Sequence, residues 1–296
     1  MIKFIPGPVR GGLSLLLMLI NTVFWSLPLY AVAILKLVIP INPWRNLCGR
    51  ILVVIATTWI SLNNLNLRLT NDIEWNVEGV DDLEREEWYL VLANHQTWAD
   101  IIVLQKVFNK KIPFLKFFIK KELLWVPFLG LAWWALDYPI MKRYSKKFVE
   151  ENPHLKGKDI ETTRRACEKF KTMPVSIMNF VEGTRFTETK RAKQNSPYKN
   201  LLIPRAAGIA TVLAVIGDKI HYVVDATIHY PEGVRSFWQF LCGGVPQVTV
   251  MVRSFPSSSV ERGDYFDDEQ YRERFKAWIN ALWEEKDRRL EQMNQR

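Results

Sequence analysis

The chain has 296 residues, which is long enough for one sizeable domain and an appended segment. Hydrophobic residues make up 48% and charged residues 24% of it, a balance that excludes a disordered or collagen-like chain. The formal net charge of +9 is concentrated at one end. Residues 1–70 contain six basic residues and no acidic one, so an anionic membrane surface is a better expected partner than nucleic acid.

The three cysteines are Cys48, Cys167 and Cys242. They are too few and too scattered for a disulfide framework or a zinc ribbon. We therefore expect reduced thiols in a cytosolic environment.

Two uncharged runs lie near the amino terminus. Residues 11–35 exceed the roughly 20 apolar residues that a helix needs to cross a bilayer, although Asn21, Thr22 and Pro28 interrupt the run. The second run, residues 51–67, is shorter and ends in several polar residues. We expect it to form a helix that lies in the interface or is partly inserted.

A cleaved secretory signal is the alternative for the first run. That run is longer than a usual signal core, and no small-residue cleavage pattern follows it, so a retained anchor is favoured. Basic residues flank it on both sides, and the positive-inside rule therefore assigns no orientation. The expected division is a membrane-anchoring helical segment at 1–70 and a second domain at 71–296.

Strand-like and helix-like patterns alternate beyond residue 70, which predicts an α/β domain. The predicted strands are 88–93, 138–141, 175–181, 222–229 and 248–252. The predicted helices are 99–108, 117–134, 160–172, 204–215 and an amphipathic helix over 267–294. Core docking is expected for this last helix, with membrane contact as the alternative. The charged stretch 188–199 predicts an exposed loop.

The sequence NHQTWAD at residues 94–100 follows the first of these strands. A histidine at the carboxyl end of a strand, beside a helix start that Thr97 could cap, lies where α/β sheets place their sites. A turn between His95 and Asp100 would let the carboxylate hold one ring nitrogen protonated, leaving the other to accept a proton from an alcohol. Taken alone, this pattern also fits a structural histidine.

A second group of polar residues, EGTR at 182–185, follows the third predicted strand. Gly183 permits a tight turn, while Thr184 and Arg185 supply donors suited to phosphate. Arg143 follows the second predicted strand in the same way. We therefore expect a general base and two cationic anion binders in one crevice.

These motifs resemble those of the glycerophospholipid acyltransferases. Residues 94–100 resemble the NH-x4-D block of that family, and 180–186 (FVEGTRF) resemble its FPEGTR block, with Val181 in place of the common proline. Residues 138–143 resemble the intervening block that ends in arginine, and 201–208 the fourth block around a proline. The sequence FTETK after EGTR is similar to the 1-acylglycerol-3-phosphate and lysocardiolipin acyltransferase branch.

The resemblance implies a fold and a mechanism. The implied fold is a mixed sheet flanked by helices, of the glycerol-3-phosphate acyltransferase type, preceded by amino-terminal membrane helices. His95 would deprotonate the acceptor hydroxyl, which attacks an acyl thioester, and Asp100 would orient His95. The residues implied to hold the acceptor phosphate are Arg143, Glu182, Gly183, Thr184 and Arg185.

The expected activity is acyl transfer to 1-acyl-sn-glycerol 3-phosphate, which gives phosphatidic acid. The alternatives are acylation of another lysophospholipid such as lysocardiolipin, lipid hydrolysis, and a non-catalytic membrane-binding role. Acyl-CoA or acyl carrier protein is the expected donor, and no cofactor or metal is expected because neither a P-loop nor a metal-ligand spacing occurs. The expected location is a membrane, the inner one if the cell is bacterial, with the catalytic domain facing the cytoplasm.

Overall fold

The computed structural model describes residues 5–141 and 173–295. The helices in these ranges are α1 (Gly7–Val38), α2 (Asn42–Thr70), α3 (Ala99–Phe108), α4 (Leu129–Ala135), α5 (Glu188–Gln194), α6 (Ala206–Ile216), α7 (Phe237–Leu241) and α8 (Glu269–Asn294). The strands are β1 (Glu74–Glu78), β2 (Tyr89–Ala93), β3 (Leu115–Phe117), β4 (Ile119–Lys120), β5 (Ile140–Met141), β6 (Ser176–Phe180), β7 (Tyr222–His229) and β8 (Gln247–Pro256). They fall into two compact units.

The first unit contains α1 and α2, which pack against each other through polar as well as apolar side chains. The Asn21 amide donates to the Trp59 carbonyl at 3.0 Å and to Asn63 Oδ1 at 2.8 Å. The Asn66 amide donates to the Ser14 carbonyl at 2.9 Å. The polar residues that interrupt the apolar sequence therefore form hydrogen bonds between the two helices. These bonds supply the partners that a buried amide group needs.

Both helices are long and apolar enough to cross a membrane, by length and composition. The helix predicted over the second uncharged run is longer than that run, because α2 has 29 residues and begins at Asn42. Among the described cysteines, Cys48 and Cys242 are free thiols, and Cys167 lies outside the described residues.

The prediction of one helix over 117–134 is wrong. The chain forms the end of β3, then β4, a single 3-10 turn at Lys121–Trp125 and the short helix α4. Pro127 disfavours helical geometry at the residue before it, and Phe128 has a positive φ of 62°. The chain therefore turns between two short elements instead of continuing as one helix.

The second unit is built on a mixed sheet, as predicted. Its strand order is β1-β8-β7-β2-β6, and β3, where the chain passes between the units, is the edge strand beside β6. Strand β2 pairs in parallel with both β6 and β7, while β7 and β8 are antiparallel. Every residue of β2 is buried, as expected for a central strand. Parallel pairing brings the carboxyl ends of β2, β6 and β7 to one edge.

Most elements beyond residue 70 agree with the sequence pattern. Strand β7 and helix α3 match their predicted bounds, and β2, β6, β8, α6 and α8 lie within a few residues of theirs. Of the predicted strand at 138–141, only β5 forms, and the helix predicted over 160–172 lies outside the described residues. The loop prediction for 188–199 is wrong in part, because its first half is α5, whose first turn is capped by the Thr187 side chain.

The amphipathic helix α8 docks on the core with its apolar stripe buried, as expected. It also buries a charge pair: Lys286 Nζ lies 2.6 Å from Asp225 Oδ1 of β7, and both side chains are fully buried. Arg253 and Arg289 contact the other oxygen of Asp225 at 3.1 and 3.3 Å. These cations hold the pKa of Asp225 below its usual value despite its burial.

Candidate active site

The candidate site lies at the edge where β2, β6 and β7 end. Ala93, the last residue of β2, is in register with Phe180, the last residue of β6, and with Ala226 of β7. His95 and Glu182 each follow a strand end by two residues, and Tyr230 directly follows β7. The parallel register therefore brings together three side chains that are far apart in sequence.

His95 and Asp100 form a hydrogen-bonded pair, through the turn that the sequence predicts between them. His95 Nδ1 lies 2.8 Å from Asp100 Oδ2. The His95 side chain is 12% exposed, whereas that of Asp100 is fully buried. One nitrogen of the ring is therefore held by a buried carboxylate, while part of the side chain remains accessible.

The buried Asp100 carboxylate accepts hydrogen bonds from three further donors. Its Oδ2 accepts from the backbone N–H groups of Gln96 at 2.5 Å and Thr97 at 2.9 Å. Its Oδ1 accepts from the Tyr230 hydroxyl at 2.6 Å. Burial, together with the neighbouring Asp100, raises the pKa of Tyr230 well above its usual value, so Tyr230 remains a proton donor.

Thr97 does not cap α3 as expected. Its hydroxyl donates instead to the backbone carbonyl of Arg235 at 2.9 Å, and the residue before α3 is Trp98, which has no side-chain cap bond. The Asp100 carboxylate folds back on this turn instead and accepts hydrogen bonds from its N–H groups.

Glu182 joins the two polar segments from within the core. Its Oε1 accepts from the His95 N–H and its Oε2 from the Leu202 N–H, each at 2.9 Å. The Phe186 N–H in turn donates to the His95 carbonyl at 2.7 Å. The backbone of His95 is therefore held on both sides by the segment that follows β6. Phe180 fixes the ring itself by stacking on it, with centroids 3.8 Å apart.

The remaining residues of the EGTR motif form a polar turn beside this pair. Gly183 has a φ of 67°, a left-handed conformation that favours glycine. The Arg185 guanidinium is exposed and lies over the Trp98 ring, 4.9 Å from its centroid. Arg143 lies outside the described residues.

Lys190 is a candidate site residue that the sequence did not indicate. Its ammonium group donates to Thr184 Oγ1 and to the Arg185 carbonyl, both at 2.8 Å. The N-cap residue Thr187 is the sequence signal for α5, and this short helix turns Lys190 back toward the EGTR turn. Two cations, Arg185 and Lys190, therefore lie at this turn.

Comparison with known proteins identifies the class. The family model described as Acyltransferase matches residues 74–221, half of the chain and nearly all of the site. The chain belongs to the glycerophospholipid acyltransferase family, which confirms the expectation from its motifs.

The names of its relatives refer to more than one acceptor. Lysocardiolipin acyltransferase 1 of Danio rerio is 25% identical over 301 residues, which cover 95% of this chain and 71% of the relative. The 1-acyl-sn-glycerol-3-phosphate acyltransferase gamma of Homo sapiens is 29% identical over 190 residues, or 61% of this chain and 46% of the relative. This chain therefore spans about half the length of the human relative.

A solved structure is also similar: the 1-acyl-sn-glycerophosphate acyltransferase PlsC from Thermotoga maritima. It aligns with a TM-score of 0.47 at 15% identity and covers 91% of this chain and 98% of its own.

The burial of Glu182 generates a prediction about pH and stability. Burial raises the pKa of Glu182 from 4.5 to about 8, against the lowering effect of its two N–H donors. Between these pH values the folded protein keeps a proton that the unfolded chain releases. The contribution of Glu182 to stability is therefore full below about pH 4.5 and declines as the pH rises toward 8.

The measurement is the melting temperature of the wild type and of Glu182→Gln in detergent from pH 5 to 8.5. We expect the wild type to lose stability relative to the variant across this range, since each unit of pKa shift corresponds to about 1.4 kcal/mol. A difference between the two proteins that stays constant with pH would contradict a raised pKa at Glu182.

Proposed function

We propose that this protein transfers an acyl group from a thioester donor to the free hydroxyl of 1-acyl-sn-glycerol 3-phosphate, giving phosphatidic acid. The observation that carries the proposal is the bond between His95 and the buried Asp100, with a cationic turn beside it. Lysocardiolipin is the second candidate acceptor, because the relative that matches 95% of this chain is a lysocardiolipin acyltransferase.

The proposed chemistry uses His95 as a general base. With the Nδ1 proton donated to Asp100, Nε2 has a lone pair that accepts the proton of the acceptor hydroxyl. The hydroxyl oxygen attacks the thioester carbonyl carbon, the carbon–sulfur bond breaks, and the imidazolium returns the proton to the leaving thiolate. Asp100 stabilises the imidazolium and holds the tautomer.

The proposed phosphate site is the cationic turn after β6. Arg185 offers a forked, charge-assisted pair to a phosphate monoester, and Thr184 lies next to it. Lys190 adds a second positive charge at this turn. We assign Arg143 to the same site on the sequence motif alone. Glu182 and Gly183 contribute through the backbone, because the Glu182 carboxylate is buried on two N–H groups.

The proposed reaction takes place at a membrane. The two apolar helices α1 and α2 support attachment to a membrane, where a lysophospholipid acceptor resides. We assign the catalytic domain to the cytoplasmic side of the membrane, which is the inner membrane if the cell is bacterial, where acyl-CoA and acyl carrier protein are the available thioesters. No cofactor is required by the proposed chemistry.

The experiment that tests the proposal is an acceptor panel with one labelled acyl thioester, run with the purified wild type and His95→Ala. We expect the highest kcat/KM with 1-acyl-sn-glycerol 3-phosphate and formation of labelled phosphatidic acid. We expect His95→Ala to lose about 10²–10⁴-fold in rate, because a positioned base contributes about that much.

His221→Ala is the matched control, since that histidine pairs with Glu87 at the opposite end of β7. It should retain activity. A higher kcat/KM with monolysocardiolipin than with 1-acyl-sn-glycerol 3-phosphate would make lysocardiolipin the acceptor instead. Release of free fatty acid with every acceptor would indicate a hydrolase, and near-normal turnover in folded His95→Ala would refute the mechanism.

A second prediction separates acceptor binding from chemistry. Arg185→Ala should raise the KM for the lysophospholipid about tenfold or more, since loss of one charge-assisted contact costs at least about 1.4 kcal/mol. The KM for the acyl thioester should change much less. Arg185→Lys should recover part of the loss, because it keeps the charge without the fork.

The measurement is a matrix of initial rates over both substrate concentrations. Arg191→Ala is the control, because it removes a cation of α5 that pairs with Glu188. A defect of Arg185→Ala confined to the acyl thioester would show that the EGTR turn binds the phosphates of the donor instead.

A further inference from the structure

The first unit exposes large apolar side chains outside its two long helices. Trp125 is 88% exposed, and Phe128, Leu131 and Trp134 of the following turn and α4 are 45%, 51% and 43% exposed. Lys120 and Lys121, five and four residues before Trp125, are also exposed, as is Glu122. The patch that we consider consists of the four apolar residues and these two lysines. We call these six residues the aromatic patch. Helix α4 packs against the 3-10 turn that carries Trp125, and large exposed apolar side chains grouped on neighbouring elements mark an interaction site.

The aromatic patch is fixed to the carboxyl end of α1. The Tyr30 hydroxyl donates to the Phe128 carbonyl at 2.5 Å, and Lys36 forms a 2.6 Å ion pair with Asp137, just beyond α4. These contacts lie on the last third of α1, within about 9 Å of Lys36 along the helix axis. Lys36 is the first charge after the apolar stretch of α1.

That position is the depth at which an inserted α1 would meet the headgroups. Tryptophan and tyrosine are enriched at this level of a bilayer, because their rings are apolar and their polar tips stay wet. Cations follow in sequence: Arg45 lies exposed in the first turn of α2, and Arg50 lies exposed further along the same helix. This excess of positive charge favours anionic lipids.

We propose that the aromatic patch is a second membrane contact, which lies in the headgroup region of an anionic phospholipid bilayer at the carboxyl end of α1. The inference rests on the proposed insertion of α1. A protein partner fits less well, because α1, on which α4 packs, itself exposes large apolar side chains such as Phe24 and Leu27, at 60% and 65%.

The experiment measures the depth of a fluorescent probe in the full chain, reconstituted in vesicles of phosphatidylethanolamine and phosphatidylglycerol. A cysteine-free background carries one cysteine at a time, through Trp125→Cys, Phe24→Cys or Lys193→Cys, labelled with an environment-sensitive dye. Lys193 is an exposed residue of α5 and serves as the control for water. Quenching is measured with aqueous iodide and with lipids that carry a nitroxide at a shallow or a deep position.

We expect the probe at 125 to be quenched most by the shallow nitroxide and roughly threefold less by iodide than the probe at 193. The probe at 24 should be quenched most by the deep nitroxide. If the probe at 24 is deep but that at 125 is as open to iodide as that at 193, the aromatic patch is not a membrane contact. If the probe at 24 is itself in water, the proposed insertion of α1 fails as well.

Tyr230 directly follows β7 and belongs to neither of the two sequence motifs. Its side chain is 4% exposed, and its hydroxyl donates to Asp100 Oδ1, the oxygen that does not face His95. The structure assigns Tyr230 as a positioning residue that fixes the Asp100 carboxylate and moderates its pull on the His95 proton. This inference also rests on the proposed function.

The test is Tyr230→Phe, which removes the hydroxyl and keeps the ring. We expect kcat to fall about threefold to tenfold with little change in either KM. The acid limb of the kcat/KM profile should move to higher pH, because a carboxylate with one donor fewer stabilises the imidazolium more. The other titratable groups around Asp100 are His95 and Glu182, with Lys286 beyond Glu182, and the variant keeps all three.

Tyr271→Phe is the matched control, since it is a buried tyrosine whose hydroxyl donates to the Glu261 carbonyl. Its pH profile should equal that of the wild type. An unshifted acid limb in Tyr230→Phe, with His95→Ala inactive, would overturn the role of Tyr230 alone. Activity in His95→Ala would overturn the proposed mechanism itself.

Discussion

The site depends on one buried carboxylate. Asp100 is removed from water, and an ionised carboxylate in that position is stable only when its oxygens are occupied by donors. Four groups fill this role: the His95 ring, the N–H groups of Gln96 and Thr97, and the Tyr230 hydroxyl. They come from the end of β2, the turn before α3 and the end of β7. The hydrogen bonds to this one carboxylate therefore hold three elements at a common edge of the sheet.

A second carboxyl group extends this constraint to β6. Glu182 bonds the backbone of His95 and of Leu202, and it leaves the remaining EGTR residues on the turn beyond. The two motifs of the family are therefore joined through the main chain of the histidine, not through a contact between their reactive side chains. This explains why a buried glutamate belongs in the same motif as Arg185, which is exposed and cationic.

The sequence predicts the parts of the molecule that local pattern controls. Strand β2 is uniformly apolar, β7 is rich in β-branched residues, and His95 and Asp100 are only five residues apart, so these features could be placed from short windows. Strand β1 was missed because glutamates occupy both its ends. The helix predicted over 117–134 was wrong because Pro127 and the conformation of Phe128 outweigh the apolar content. Tyr230 could not be found, since 130 residues separate it from its partner.

The charge pair between α8 and β7 makes the active-site edge depend on the docking of a helix outside both motifs. Asp225 lies in the middle of a central strand, and two of its cations, Lys286 and Arg289, belong to α8. Without α8, the sheet would have to bury the Asp225 carboxylate with two cations fewer, which costs several kcal/mol. The active-site edge, which β7 completes, can therefore be stable only while α8 is docked.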